Sequence, residues 1–248
     1  MNKIEIIAEI ANAHQGNPEI AFNLANEAKK SGVDFVKYQV YFAEELLVKN
    51  HPRYEHFKKQ SFSKKDWKNL ILETKNLGVR VLCDIYGREA FKIASECEVD
   101  GYKIHSSDLS NYHILSLINK LRNGEKVILS CGGSNIREIS YALNKINDIP
   151  SRPILMHGFQ SYPTKIEDTN LNRIDFLKNL FGEKCDIGFQ DHISGEDSFS
   201  ITLPLLAITK GANIIEKHIT FDRHKKGVDY YSSLEPEELK LFINIVKK

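Results

Sequence analysis

The run Lys126-Val-Ile-Leu-Ser130 decides the fold. After Lys126 it is apolar with no polar residue at alternate positions, so a strand made from it is covered on both faces. Such strands belong to parallel sheets, where crossover helices cover both sides. Working outward, similar apolar runs lie at 4–10, 33–39, 79–84, 99–104, 153–157, 186–190 and 212–217. Helical patterns fall between them, near 18–31, 63–77, 87–97, 111–121, 135–146, 169–181, 197–209 and 235–247. Ser63 and Ser134 stand where helices begin, and Glu235-Pro-Glu-Glu238 puts proline and acids in a first turn, where the dipole favours them. Gly32, Gly78 and Gly211 each follow a helix and precede a strand, as stop glycines do. Eight strand–helix alternations in 248 residues predict a single (β/α)8 TIM barrel over 1–248, a fold that needs about 250 residues. The longest irregular stretch, 40–62, is rich in Tyr, Phe, Lys and His. A long loop after a barrel strand predicts a functional segment.

Composition narrows the class. Hydrophobic residues make up 42% and charged residues 27%, as in an ordinary globular protein. A net charge of +1 creates no global field to attract nucleic acid or a membrane surface. The start, Met1-Asn-Lys-Ile-Glu-Ile-Ile7, is too short and too charged for a secretory signal, and no window reaches the ~18 apolar residues of a membrane span. Cys83, Cys97, Cys131 and Cys185 lack metal-type spacing and read as reduced thiols, so a cytoplasmic protein is expected.

In a barrel, side chains at the strands' C-terminal ends gather at one mouth. Here those ends carry Glu9, Lys37, Asp84, Lys103, Ser130, His157, Gln190, Asp191, His192, Glu216 and His218, with Ser106 and Asp108 just beyond strand 4. Gly188-Phe-Gln-Asp-His192 and Ile214-Ile-Glu-Lys-His218 end neighbouring strands in histidine. Two imidazoles so placed can hold a divalent metal, with Glu9 as a third ligand or a base and Asp191 as an orienting group. Lys37 and Lys103, with the hydroxyls of Ser106 and Ser130, suit a phosphate or carboxylate. Alternatively each lysine pairs with a barrel carboxylate such as Glu9 or Asp84, or one of them forms a Schiff base. His14 and His157, each just past a strand, are candidate general acids or bases.

These segments, in this order, resemble the N-acetylneuraminate (sialic acid) synthase family over about residues 4–246. The resemblance is carried by Ile7-Ala-Glu-Ile10, His14-Gln-Gly16, Gly32-Val-Asp-Phe-Val-Lys-Tyr-Gln39, Tyr102-Lys-Ile-His-Ser-Ser-Asp-Leu109 and Tyr162-Pro-Thr164. Further on it is carried by Gly188-Phe-Gln-Asp-His192, Ile215-Glu-Lys-His-Ile-Thr-Phe-Asp-Arg223 and Ser233-Leu-Glu-Pro-Glu-Glu238. It implies a barrel that condenses phosphoenolpyruvate with the open-chain aldehyde of an N-acetylated hexosamine. Carbon 3 attacks the aldehyde, water adds at carbon 2, and phosphate leaves with C–O cleavage. It implies a divalent metal, Mn above all, with Mg or Co as substitutes, on His192 and His218. Lys37, Lys103, Ser106, Ser130 and Gln190 are then the phosphoenolpyruvate contacts, and Glu9, Asp108 and His14 the catalytic groups. Ser161, Tyr162 and Asp229 become the sugar contacts. Asp84 stands where the family has Thr, Gln190 where it has Ser, Ser161 where it has Asn, and Asp108 where it has Glu. The family's C-terminal antifreeze-like domain is not expected within 1–248, so the partners implied are small molecules plus a second copy of the chain or a separate antifreeze-like protein. Two other readings remain open: a metal-dependent aldolase or lyase acting on a pyruvoyl compound, and a non-catalytic sugar-binding barrel beside a complete synthase.

Overall fold

A computed structural model of the chain describes residues 3–248. Its strands β1 (Glu5–Glu9), β2 (Phe35–Tyr41), β3 (Arg80–Tyr86), β4 (Gly101–Ile104), β5 (Lys126–Ser130), β6 (Ile154–His157), β7 (Asp186–Asp191) and β8 (Ile214–Ile219) pair in parallel, each with the next. Pairing of β8 with β1, from Glu5↔Ile214 to Glu9↔His218, closes the ring. The fold is the expected (β/α)8 TIM barrel. A ninth strand, β9 (Ser233–Leu234), lies parallel to the end of β8, with His218 opposite Ser233.

Helices α1 (Pro18–Ser31), α4 (Lys64–Asn76), α5 (Arg88–Glu96), α6 (Tyr112–Ile118), α7 (Ile136–Lys145), α8 (Asn172–Phe181), α9 (Phe199–Thr209) and α10 (Pro236–Val246) follow the barrel strands in turn. Their ends have local causes. Asn17 accepts from the N–H groups of Glu19 and Ile20 at the start of α1, and Gly32 ends that helix in the left-handed conformation, φ 95°. Ser63 caps α4 as expected. The cap of α7 is Asn135 rather than Ser134, because Asn135 and Glu138 form a reciprocal capping box.

The stretch 40–62 is a second difference. Two of its residues extend β2, pairing Val40 with Ile85 and Tyr41 with Tyr86. The rest holds short helices α2 (Ala43–Leu46) and α3 (Tyr54–Gln60). Neither has a side-chain N-cap, so the usual start signals are missing.

Strand side chains alternate between two cores. Ile7, Phe35, Leu82, Ile128, Ile154, Met156 and Ile214 point inward and plug the lower barrel. Their neighbours along the strands, such as Ile6, Ala8, Val36, Val81, Val127 and Ile215, pack outward beneath the helices. This period of two places Glu9, Lys37, Asp84, Lys103, Ser130, Gln190 and Glu216 in one inward layer directly above the apolar plug. All four cysteines are buried free thiols. No helix among the described residues is long and apolar enough to cross a membrane.

Candidate functional site

The inward layer is a buried ionic network. Lys37 pairs with Glu9, lies 3.6 Å from Asp84 and 3.5 Å from Glu216. Lys103 donates to Glu216 at 2.7 Å and to the Gln190 amide oxygen at 2.8 Å. The Gln190 amide nitrogen donates to Ser130 Oγ at 3.1 Å. All are buried. Barrel closure explains the arrangement: β1 abuts β8, so Glu216 comes within reach of lysines on β2 and β4. Of the alternatives open in the sequence, paired lysines are what the structure holds.

The electrostatics follow from that pairing. Burial lowers Lys37 to about 8, against the pull of Glu216 and Asp84 and with the help of the like charge on Lys103. Burial works the same way on Lys103, but Glu216 and Asp84 outweigh it and leave that lysine above its ordinary value. Burial would raise Glu216, yet Lys103 and Lys37 bring it down to about 2. The layer counts two lysines against three carboxylates, Glu9, Asp84 and Glu216. Both Asp84 oxygens and one oxygen of Glu216 are buried without a hydrogen-bond donor.

Above the network opens a cavity of about 410 Å³. Its lining includes Asn12, Gln39, Tyr41, Arg53, Phe57, Tyr86, His105, Ser107, Tyr162, His218 and Asp229. His192 and His218 meet at its edge with ring centroids 5.2 Å apart, and the Tyr162 ring lies 4.4 Å from that of His192. His192 Nδ1 lies 3.0 Å from the Phe159 carbonyl oxygen. Burial lowers His192 to about 4 and, with His192 beside it, takes His218 well below the ordinary histidine value. Both rings are therefore neutral near pH 7, the form that binds metals. Two adjacent neutral imidazoles suit a divalent cation whose remaining positions are filled by water or substrate. Among the described residues no third His, Cys, Asp or Glu completes a ligand group. Glu9 is not such a ligand: its Oε1 accepts from the Ala11 N–H at 2.7 Å and its other oxygen faces Lys37. Asp191 makes no hydrogen bond to an imidazole either, since its carboxylate faces outward to Lys217.

The other expected site residues divide. Tyr162 and Asp229 line the cavity, Asp229 in the left-handed conformation with φ 64°. The Asp229 carboxylate accepts from the Asn12 N–H at 3.5 Å, and burial raises its affinity for a proton. Ser161 turns to the Pro163 carbonyl at 3.1 Å. Ser106 and Asp108 sit in a 3-10 turn after β4, where Asp108 accepts from Asn111 at 2.8 Å. His14 is not in the cavity. The chain after β1 folds its ring against Phe62, 4.5 Å away, and Trp67, and its Nδ1 accepts from the Gly16 N–H at 3.0 Å. Burial lowers it to about 4, and the ring packs among aromatic side chains outside the cavity lining. His157 is likewise buried, with Nε2 2.9 Å from the Thr169 carbonyl oxygen. Gln39, Tyr86 and His105 were missed, and one signal could have found them. Each stands two residues beyond Lys37, Asp84 or Lys103, on the same inward face.

A model of the NeuB family matches residues 24–248. An N,N'-diacetyllegionaminic acid synthase of Campylobacter jejuni is 32% identical over all of this chain and 77% of its own length. An uncharacterised protein of Methanocaldococcus jannaschii is 35% identical, over 98% of this chain and 69% of its own. Among solved structures, an N-acetylneuraminic acid synthetase of Leptospira borgpetersenii superposes with a TM-score of 0.90 at 32% identity, covering 99% of this chain and 83% of that one. A 3-deoxy-D-arabino-heptulosonate 7-phosphate synthase of Thermotoga maritima, 18% identical, shares the fold with a TM-score of 0.73. With a closed barrel, a mouth built from the quoted motifs and these relatives, the chain belongs to the NeuB family and is an enzyme of that family's synthase kind.

Proposed function

We propose that this chain joins phosphoenolpyruvate to the open-chain aldehyde of an N-acylated amino sugar, giving a sialic-like keto acid and phosphate. One observation carries the reading: a buried layer holding Lys37 and Lys103 lies directly beneath a cavity edged by two neutral, adjacent imidazoles. In this reading Lys37, Lys103, Ser130 and Gln190 hold the phosphate and carboxylate of the acid substrate. Glu216 keeps both lysines charged in a site that burial would otherwise neutralise. The Glu9–Lys37 pair holds a proton beside the reacting carbons, because Lys37 at about 8 exchanges it near neutral pH. Asp229, Tyr162, Asn12 and Gln39 orient the sugar's hydroxyl and acylamino groups above the network. His192 and His218 would hold a divalent cation, Mn or in its place Mg or Co, which supplies Lewis-acid polarisation of the aldehyde. The expected setting is the cytoplasm, and the expected partners are the two small molecules and a second copy of the chain or an antifreeze-like protein.

A second reading draws on the excess of carboxylates. Three acids beside two lysines favour a substrate with less negative charge, such as pyruvate released from or added to an aldehyde without phosphate. Phosphate release from phosphoenolpyruvate with Mn, across a panel of N-acylated amino sugars and with product masses measured, separates the two. The synthase reading expects release that depends on the sugar and a keto acid three carbons longer than it. Pyruvate-dependent condensation without phosphate release would replace it with the lyase reading.

A further inference from the structure

The β7–β8 ladder stops one residue short of the two histidines. Its last rung is Asp191↔Lys217, after which His218 pairs with Ser233 of β9 instead. His192 and His218 thus stand side by side, 5.2 Å between ring centroids, just past the point where their strands cease to be paired with each other. On the outer face of that last rung, the Asp191 carboxylate and the Lys217 ammonium form an ion pair, both side chains at most 1% exposed. The other Asp191 oxygen accepts from the Ile193 N–H at 2.7 Å, so the carboxylate brackets His192 from both sides along the chain. Lys217 also donates to the Ser200 carbonyl in α9 at 2.8 Å, tying the rung to the helix behind it.

The surroundings make this pair costly. Ile187, Phe189 and Ile215 belong to the apolar outer core around it. A buried ion pair in such a place adds little stability over a well-packed apolar pair, and its best-attested benefit is fixing one register. We infer that Asp191 and Lys217 are positioning residues: their ion pair locks the last rung and so sets the separation and orientation of His192 and His218 just beyond it. The inference rests on the proposed metal-binding role of those histidines.

The test uses the double variant Asp191→Asn/Lys217→Met, which leaves no unpaired charge and keeps an acceptor for Ile193. Calorimetric Mn affinity, the absorption spectrum of the Co(II)-loaded protein and the melting temperature are measured together. The expected result is a folded protein with Mn affinity at least about 10-fold weaker and a shifted Co(II) spectrum. If the double variant fails to fold, Lys217→Arg, which keeps the pair, is compared with Lys217→Met, and only the former is expected to retain wild-type affinity. Wild-type affinity and spectrum in a variant without the pair would overturn the inference and leave the proposed function standing. Absence of any Mn site lost in His218→Ala would overturn both.

Discussion

Glu216→Gln separates two consequences of the buried layer. The carboxylate lies 2.7 Å from Lys103 and 3.5 Å from Lys37. At an effective dielectric constant of about 20 these separations give gross attractions of about 6 and about 5 kcal/mol. Desolvation takes back several kcal/mol per ion, and breaking a buried pair typically costs about 3–5 kcal/mol net. The pH linkage gives a second route to the same number. Glu216 moves from 4.5 in the unfolded chain to about 2 in the fold, worth about 3 kcal/mol. For a chain of this size that lowers the melting temperature by roughly 6–12 °C. The sign is fixed by the depressed value. Between about pH 2 and 4.5 the unfolded chain binds more protons here, so stability from this group is complete above about 4.5 and is lost as pH falls toward 2. The wild-type advantage over Glu216→Gln, read by urea unfolding at pH 6, 4 and 3, should therefore shrink to less than half by pH 3. Affinity for phosphoenolpyruvate should also weaken, because without Glu216 burial takes both lysines further down and drains positive charge from the anion site. A stability gap that is absent at pH 6, or equally large at pH 3, would refute the pairing argument.

Three further outcomes are expected. Lys37 deprotonates near 8, so calorimetric affinity for phosphoenolpyruvate should weaken above that pH. Between about 8 and 10.5 the unfolded chain holds the extra proton, so the same group adds stability as pH rises; affinity that stays level to pH 9.5 would remove Lys37 from the anion site. His14→Ala should lower stability by roughly 1–3 kcal/mol and leave kcat nearly unchanged, whereas a large kcat loss at constant melting temperature would restore it as an acid or base. Gly16 has φ +77°, and a Cβ there would lie 2.4 Å from the Lys59 carbonyl oxygen of α3. Gly16→Ala should thus destabilise by roughly 1–3 kcal/mol and raise KM for the sugar by displacing α3, which carries Phe57; an unchanged KM would disconnect that helix from the site.

The strands were legible because burial on both faces leaves a simple signature, as in Val127-Ile-Leu-Ser130. The inward position of Lys37, Lys103 and the carboxylates was legible for the same reason, since a period of two carries one face to the mouth. Partner choice was not legible. Glu216 reaches Lys37 only because β8 closes on β1, a contact between residues 179 positions apart. Nor was the fate of His14 legible: its place after β1 promised the mouth, but the turn at Ala11, with φ 43°, and the aromatic pair Phe62 and Trp67 take the ring elsewhere. Asp191 and Lys217 each precede a histidine and so fall on the opposite strand face, but only the β7–β8 register pairs them with each other.

The short strand β9 makes the segment that carries Asp229 a clasp across the barrel mouth. Residues 220–232 leave the barrel wall at the end of β8 and return to the same strand, with the Thr220 N–H bonded to the Leu234 carbonyl at 3.0 Å. Below that closure Arg223 is bonded to Glu238 at the start of α10. The excursion is thus a loop stapled at its base. Its far side is tied as well: the Tyr230 hydroxyl donates to the Ala13 carbonyl at 3.1 Å and the Ser232 hydroxyl to the His192 carbonyl at 2.8 Å, so a change in its length is felt both after β1 and at the end of β7.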